Sequence, residues 1–224
     1  MAEKLNPLFN IPIEELEERI KTTLNGNARQ YNRVIPPQYL SKVDDISILR
    51  DETVEALIRH ITLRGQEVYP YEDSEIRIYR TEPHGFDIGQ TFILEDKLLN
   101  IMQRLEGKLL TGFSTRGISK LPPLKFYGET QEKQKAIALY LPPFIEHHQQ
   151  DTALIDGIHR SYLCASAGTT INAIHIYAPS SQLPFSPITW TNTQLVSEKP
   201  AKDRRYVNLD TSLFRDLGKV GIDG

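Results

Sequence analysis

The sequence predicts an α+β fold: a small mixed sheet built around a strand–turn–helix–strand segment, preceded by a mainly helical N-terminal extension. Three observations carry this expectation. Apolar residues recur at helical spacing in three stretches of the first half. Short alternating or β-rich runs separated by Pro, Gly and polar residues fill the region from residue 121 to 177. Within that region, ALIDGIHRSY joins an apolar run to a glycine turn and then to a helix-favouring run.

The elements follow in order. Residues 11–20 suit a helix, with Pro12 in the first turn, acids after it, and Ile13, Leu16 and Ile20 on one side. Asn25, Gly26 and Asn27 end it. A second helix is expected over residues 51–64, its stripe made by Val54, Leu57, Ile58 and Ile61 and its stop by Gly65. Residues 75–80 alternate as a half-buried strand. Residues 94–110 carry Leu94, Leu98, Ile101, Met102, Leu105 and Leu109 at helical spacing. Short strands are expected at 124–127, 137–141 and 152–155, a helix at 161–167 capped by Gly168, and a strand at 174–177. The strands before and after that helix are expected to be neighbours in a parallel or mixed sheet. Beyond Pro179 the prolines suggest an irregular segment, then a charged linker and one short helix near 212–217. This reading divides the chain into a 1–85 extension, an 86–195 core and a 196–224 linker and tail.

Composition narrows the function classes. With 224 residues, 39% apolar and 25% charged, the chain can bury a core and should fold. A net charge of −3, with both signs mixed along the chain, argues against a dedicated nucleic-acid coat. The single cysteine, Cys164, excludes an internal disulfide and a multi-cysteine metal site. No haem, flavin or structural zinc is expected. No apolar run approaches the roughly 20 residues of a membrane-spanning helix, and the first residues lack a signal-peptide layout. A cytoplasmic location with no membrane partner is the expectation.

The turn concentrates the chemistry. Asp156 suits an N-cap and Gly157 a tight exit from the strand. His159 and Arg160 then place cations where a helix start favours acids. An anion would resolve that conflict, because free amides, a glycine and an adjacent guanidinium make a phosphate site. The competing reading pairs Asp156 with Arg160 four residues apart, a contact worth about 0.2–0.5 kcal/mol. The basic, hydroxyl-bearing stretch before residue 121 offers Arg116, Ser119 and Lys120 as a second half of the cradle, although its spacing is not that of a Walker loop. Glu95 and Glu129 are carboxylates that suit a general base. Glu146, His147 and His148 invite a metal, but adjacent histidines diverge on a regular element. His175, between Ile174 and Ile176, reads as a strand histidine.

The run from LPPL through LIDGIHRSYLCASAG to INAIHIY resembles the core of the ParB/sulfiredoxin-like superfamily over residues 121–177. The resemblance implies nucleotide binding, with Gly157, His159 and Arg160 on phosphates and Asp156 and Ser161 beside them. It also implies NTP hydrolysis or phosphoryl transfer with Mg2+, in which Asp156, His159 and Arg160 are the catalytic candidates. Gly157, Ser161, Arg116, Ser119 and Lys120 are then the phosphate contacts. The alternatives are a non-catalytic sensor of a phosphorylated ligand, a module on a nucleic-acid backbone, and a metal-dependent nuclease. Sulfiredoxins carry their reactive cysteine where this chain has Ile158, and partition proteins follow the turn with a helix-turn-helix region, whereas the roughly 45 residues after Tyr177 are expected to be mostly irregular. Both departures argue against those two activities.

Overall fold

The computed structural model describes residues 10–24, 30–106 and 120–222. The protein is α+β and divides into two compact units: Met1–Asp73 with Pro122–Leu141 and Arg215–Gly224, and Ser74–Leu121 with Pro142–Phe214. In chain order the first unit begins with β1 (Ile11–Pro12), α1 (Ile13–Ile20), β2 (Arg33–Ile35), β3 (Lys42–Ile48), α2 (Asp51–Arg59) and β4 (Thr62–Leu63). The second unit then supplies β5 (Glu75–Thr81), β6 (Asp87–Ile88), β7 (Phe92–Leu94) and α3 (Glu95–Glu106). The chain returns to the first unit for β8 (Leu124–Glu129) and β9 (Lys135–Tyr140). It builds the rest of the second from β10 (Phe144–His147), β11 (Thr152–Asp156), α4 (Ile158–Ser166), β12 (Ile171–Tyr177) and β13 (Gln194–Val196). Finally β14 (Arg215–Asp216) pairs with β4 in the first unit.

This division differs from the expected 1–85, 86–195 and 196–224, and the reason is non-local pairing. The hairpin of β8 and β9 lies in the order β1-β2-β9-β8-β3, so these strands complete the first unit. The N-terminal region is accordingly not mainly helical. Its β3 escapes the sequence pattern because Asp44 and Asp45 interrupt the alternation of KVDDISI. Asp44 is held there by Lys42 at 2.7 Å and Lys135 at 2.6 Å, which press its carboxyl down to about 2. The second helix stops at Arg59 instead of 64, because Thr62 and Leu63 are taken by pairing with β14. Gly65, with φ 72°, turns the chain after that strand rather than ending the helix.

The second unit's sheet has the order β5-β12-β10-β11-β6. β10 runs parallel to β12 and antiparallel to β11, so the strands flanking α4 are not neighbours and run in opposite directions. β10 itself was hidden in the sequence, since the polar Glu146, His147 and His148 read as a connection. The short β13, in the proline-rich stretch expected to be irregular, pairs with β7. The tail expected as one short helix consists of two 3-10 turns, Thr211–Leu213 and Leu217–Val220, around β14. One face of the β5–β6 sheet carries a core of Phe86, Ile88, Ile93, Leu98, Ile145, Leu154, Ile158 and Ala173. Burying each large aliphatic side chain contributes about 1.5–3 kcal/mol. This explains why α4 begins at Ile158, three residues earlier than its pattern suggests: Ile158 anchors the first turn in that core. Among the described residues no helix is long and apolar enough to cross a membrane.

Candidate functional site

The strand–turn–helix expected at ALIDGIHRSY is present, but its residues hold different partners from those foreseen. Gly157, at φ 88°, stands at the helix boundary, so the N-cap is a residue without a side chain rather than Asp156. A Cβ on Gly157 would lie 2.7 Å from the Cβ and Cγ of Pro143 and 2.9 Å from its Cα. The glycine therefore admits Pro143, not a ligand, on that side. Asp156 accepts a hydrogen bond from Arg160 Nη2 at 3.1 Å, and both side chains are largely buried. The four-apart pair weighed from the sequence is the one that forms.

His159 is likewise committed. Its ring is 9% exposed, and Nε2 accepts the backbone N–H of Leu94 at 3.1 Å, tying the first turn of α4 to the end of β7. Burial, with the charges of Lys97 and Arg160 adding to it, lowers its pKa to about 4. Near neutral pH the ring is uncharged, as a hydrogen-bond acceptor must be at that nitrogen. Ser161 is fully buried and its Oγ has no partner among the described residues. Cys164 is buried too, and desolvation raises its pKa to about 11, away from thiolate chemistry.

Of the other sequence candidates, Arg116 and Ser119 lie outside the described residues. Lys120 is exposed. Glu95 is an exposed residue in the first turn of α3. Glu129 belongs to the first unit, where it pairs with Lys135 at 2.7 Å. What remains at the turn is a helix start whose first turn, Ile158, His159 and Arg160, holds no carboxylate and follows closely on Asp156, the ion-pair partner of Arg160; the charges of Lys97 and Arg160 act on His159.

A second assembly, at the opposite end of the same sheet, was not visible as a unit in the sequence. His147 and Tyr177 are register partners on β10 and β12, and His147 also faces Thr152 across β11. His147 Nε2 lies 2.8 Å from His175 Nδ1, and His147 Nδ1 lies 3.3 Å from Thr152 Oγ1. The ring of His175 stacks on Tyr79 at 3.7 Å and that of His147 on Tyr177 at 4.2 Å, and the two tyrosine hydroxyls meet at 2.7 Å. Burial, then its neighbour His147, brings His175 down to about 4. Burial and the hydrogen bond to Tyr177 push Tyr79 up to about 12. His175 is thus a buried histidine with one nitrogen satisfied; its Nε2 has no partner among the described residues. Glu146 points to the other face, where His148 Nε2 meets its carboxylate at 2.8 Å. Among the described residues no group of three or more His, Cys, Asp or Glu is arranged to hold a metal ion. The signal in the sequence was a polar residue set into each apolar strand, His147 in FIEH, Thr152 in TALID and His175 in INAIHIY, but only strand register brings those residues together.

No family model matches the chain, nor does any curated protein or any solved structure.

Proposed function

We propose that the second unit binds a phosphate-bearing small molecule at the first turn of α4 and acts by holding it. A nucleotide, with Mg2+, is the ligand class that the resemblance of residues 121–177 implies. The observation that carries the reading is the placement of Arg160: a largely buried guanidinium, oriented by Asp156 at 3.1 Å, in a helix start without a carboxylate in its first turn. A helix N-terminus and a guanidinium favour the same anion, and the planar guanidinium matches the oxygens of a phosphate. Lys97 adds to the positive potential felt at His159.

Binding is favoured over hydrolysis, phosphoryl transfer or nuclease activity because the expected proton carrier is engaged. His159 accepts the Leu94 amide and takes up a proton only near pH 4, so it is a poor general acid or base at neutral pH. Its part is to position the turn. Asp156, in turn, orients Arg160 and competes with the incoming anion for it.

Calorimetric titration with ATP, ADP, CTP, GTP and inorganic phosphate, with and without Mg2+, tests the proposal. Charge-assisted hydrogen bonds are worth about 1.5–3 kcal/mol, so Arg160→Ala is expected to weaken binding roughly 10- to 150-fold. Asp156→Asn removes the competing carboxylate and is expected to strengthen phosphate binding without Mg2+; a loss limited to Mg2+-containing titrations would instead assign Asp156 to the ion. Saturable binding without phosphate release is the expected result. Absence of binding, or equal binding by Arg160→Ala, overturns the proposal.

A further inference from the structure

Strands β7 and β13 run parallel with Leu94 opposite Val196, and both chains continue past that pair in the same direction. Three residues beyond it stand Lys97, in the first turn of α3, and Lys199, in the segment after β13. That segment then folds back: Arg205 Nε donates to Pro200 O at 2.8 Å, and Arg205 O accepts the N–H of Thr91, just before β7, at 3.0 Å. Cations from three separate stretches of chain are thereby gathered around the end of β7. The same end is tied to α4, since the Leu94 N–H is the donor to His159 Nε2. None of the three cations makes an ion pair among the described residues. Glu95, Asp96, Glu198 and Asp203, the carboxylates on the same turns, are exposed and pair with none of them. Burial, then the charges of Arg205 and Lys97, lowers the pKa of Lys199, so the charges that act on this ammonium are of its own sign.

We propose that Lys97, Lys199 and Arg205 form a second anion subsite, beside the α4 turn, that takes the distal phosphate of a ligand carrying two or more linked phosphates. Like charges held together cost stability, and a multiply charged anion set among them relieves the repulsion. The two lysines supply mobile point charges with three donors each. Arg205, its Nε engaged by Pro200, keeps its terminal nitrogens for oxygen acceptors. Lys97 joins the two sets of cations, because its charge acts on His159 as well as on Lys199. The inference rests on the phosphate reading of the α4 turn for the first phosphate, and adds the reason a single phosphate would leave part of the positive charge unmatched. Linked phosphates come from a nucleoside polyphosphate or from an inorganic oligophosphate, and the titrations separate these sources.

Calorimetric titration with orthophosphate, tripolyphosphate and ATP, all without Mg2+, tests the subsite. Tripolyphosphate is expected to bind about tenfold tighter than orthophosphate, or more. Lys199→Gln and Arg205→Gln should each weaken tripolyphosphate about two- to fivefold, the effect of a solvent-accessible charge, and leave orthophosphate unchanged. Lys97→Gln and Arg160→Ala should weaken both. ATP binding tighter than tripolyphosphate, with the same dependence on Lys199, assigns a nucleoside polyphosphate; tighter tripolyphosphate assigns an inorganic one. Lys199 is exposed, so its variant keeps the fold even where Arg205→Gln loosens the segment from 200 to 205. Equal affinity for orthophosphate and tripolyphosphate, or tripolyphosphate binding unchanged in both Lys199→Gln and Arg205→Gln, overturns the subsite, while the α4 reading stands if Arg160→Ala still weakens orthophosphate. Tripolyphosphate binding that depends on Lys199 and not on Arg160 does the reverse. A single-stranded oligonucleotide that displaces tripolyphosphate at lower concentration than ATP overturns the assignment to a small ligand.

Discussion

Replacing Gly157 by alanine isolates what the turn is built for. At φ 88° an L-residue is strained by about 1–2 kcal/mol. The new Cβ would stand 2.7 Å from both Cβ and Cγ of Pro143 and 2.9 Å from its Cα, well inside van der Waals contact. Pro143 has little room to retreat, because its carbonyl accepts the N–H of Ile174 at 2.8 Å. Overpacking of this kind costs about 1–3 kcal/mol, so Gly157→Ala should destabilise the protein by about 2–5 kcal/mol in total. Urea unfolding followed by Trp190 fluorescence and far-ultraviolet circular dichroism measures the loss. In a double-mutant cycle, Pro143→Gly removes two of the three contacting atoms and should recover the contact part while leaving the backbone part. A loss below about 0.5 kcal/mol, or no coupling to Pro143→Gly, refutes the argument that the glycine exists to admit Pro143. A glycine kept only for ligand approach would instead cost the backbone strain alone, show no coupling to Pro143→Gly and impair binding.

Further outcomes follow from the committed side chains. His159→Leu leaves the Leu94 amide without its acceptor and should cost about 1–3 kcal/mol, whereas His159→Gln, which can present an oxygen near the Nε2 position, should restore much of it; chemical denaturation of the pair measures the difference. The protein should lose stability on mild acidification. His159 and His175 have folded-state values of about 4 against an ordinary value of 6.5, so the unfolded chain binds more protons between these limits. The stabilising effect is complete above pH 6.5 and is lost as pH falls towards 4, by about 2 kcal/mol per histidine at pH 5. Thermal melts at pH 7 and pH 5 should show this shift, and His159→Gln should remove about half of it.

Much of the local structure was legible in the sequence, because helices and hairpins answer to neighbouring residues. The period of Ile13, Leu16 and Ile20 marked α1, the alternation of EIRIYR marked β5, and the apolar run ending in Asp156-Gly157 located the exit from β11 into α4. Even the Asp156–Arg160 pair was available as the competing reading, since residues four apart on a helix adjoin whatever the fold.

The tertiary structure decided what those elements are for. Strand register is a long-range property, and it alone placed β8 and β9 in the first unit, set β10 between β11 and β12, and brought His147 to His175 from 28 residues away. Burial is equally non-local. The sequence by itself determined that a glycine, a histidine and a guanidinium would meet at the start of a helix. Packing determined that Gly157 admits Pro143 and that His159 holds the Leu94 amide, because a buried polar group must be satisfied by whatever the fold brings against it.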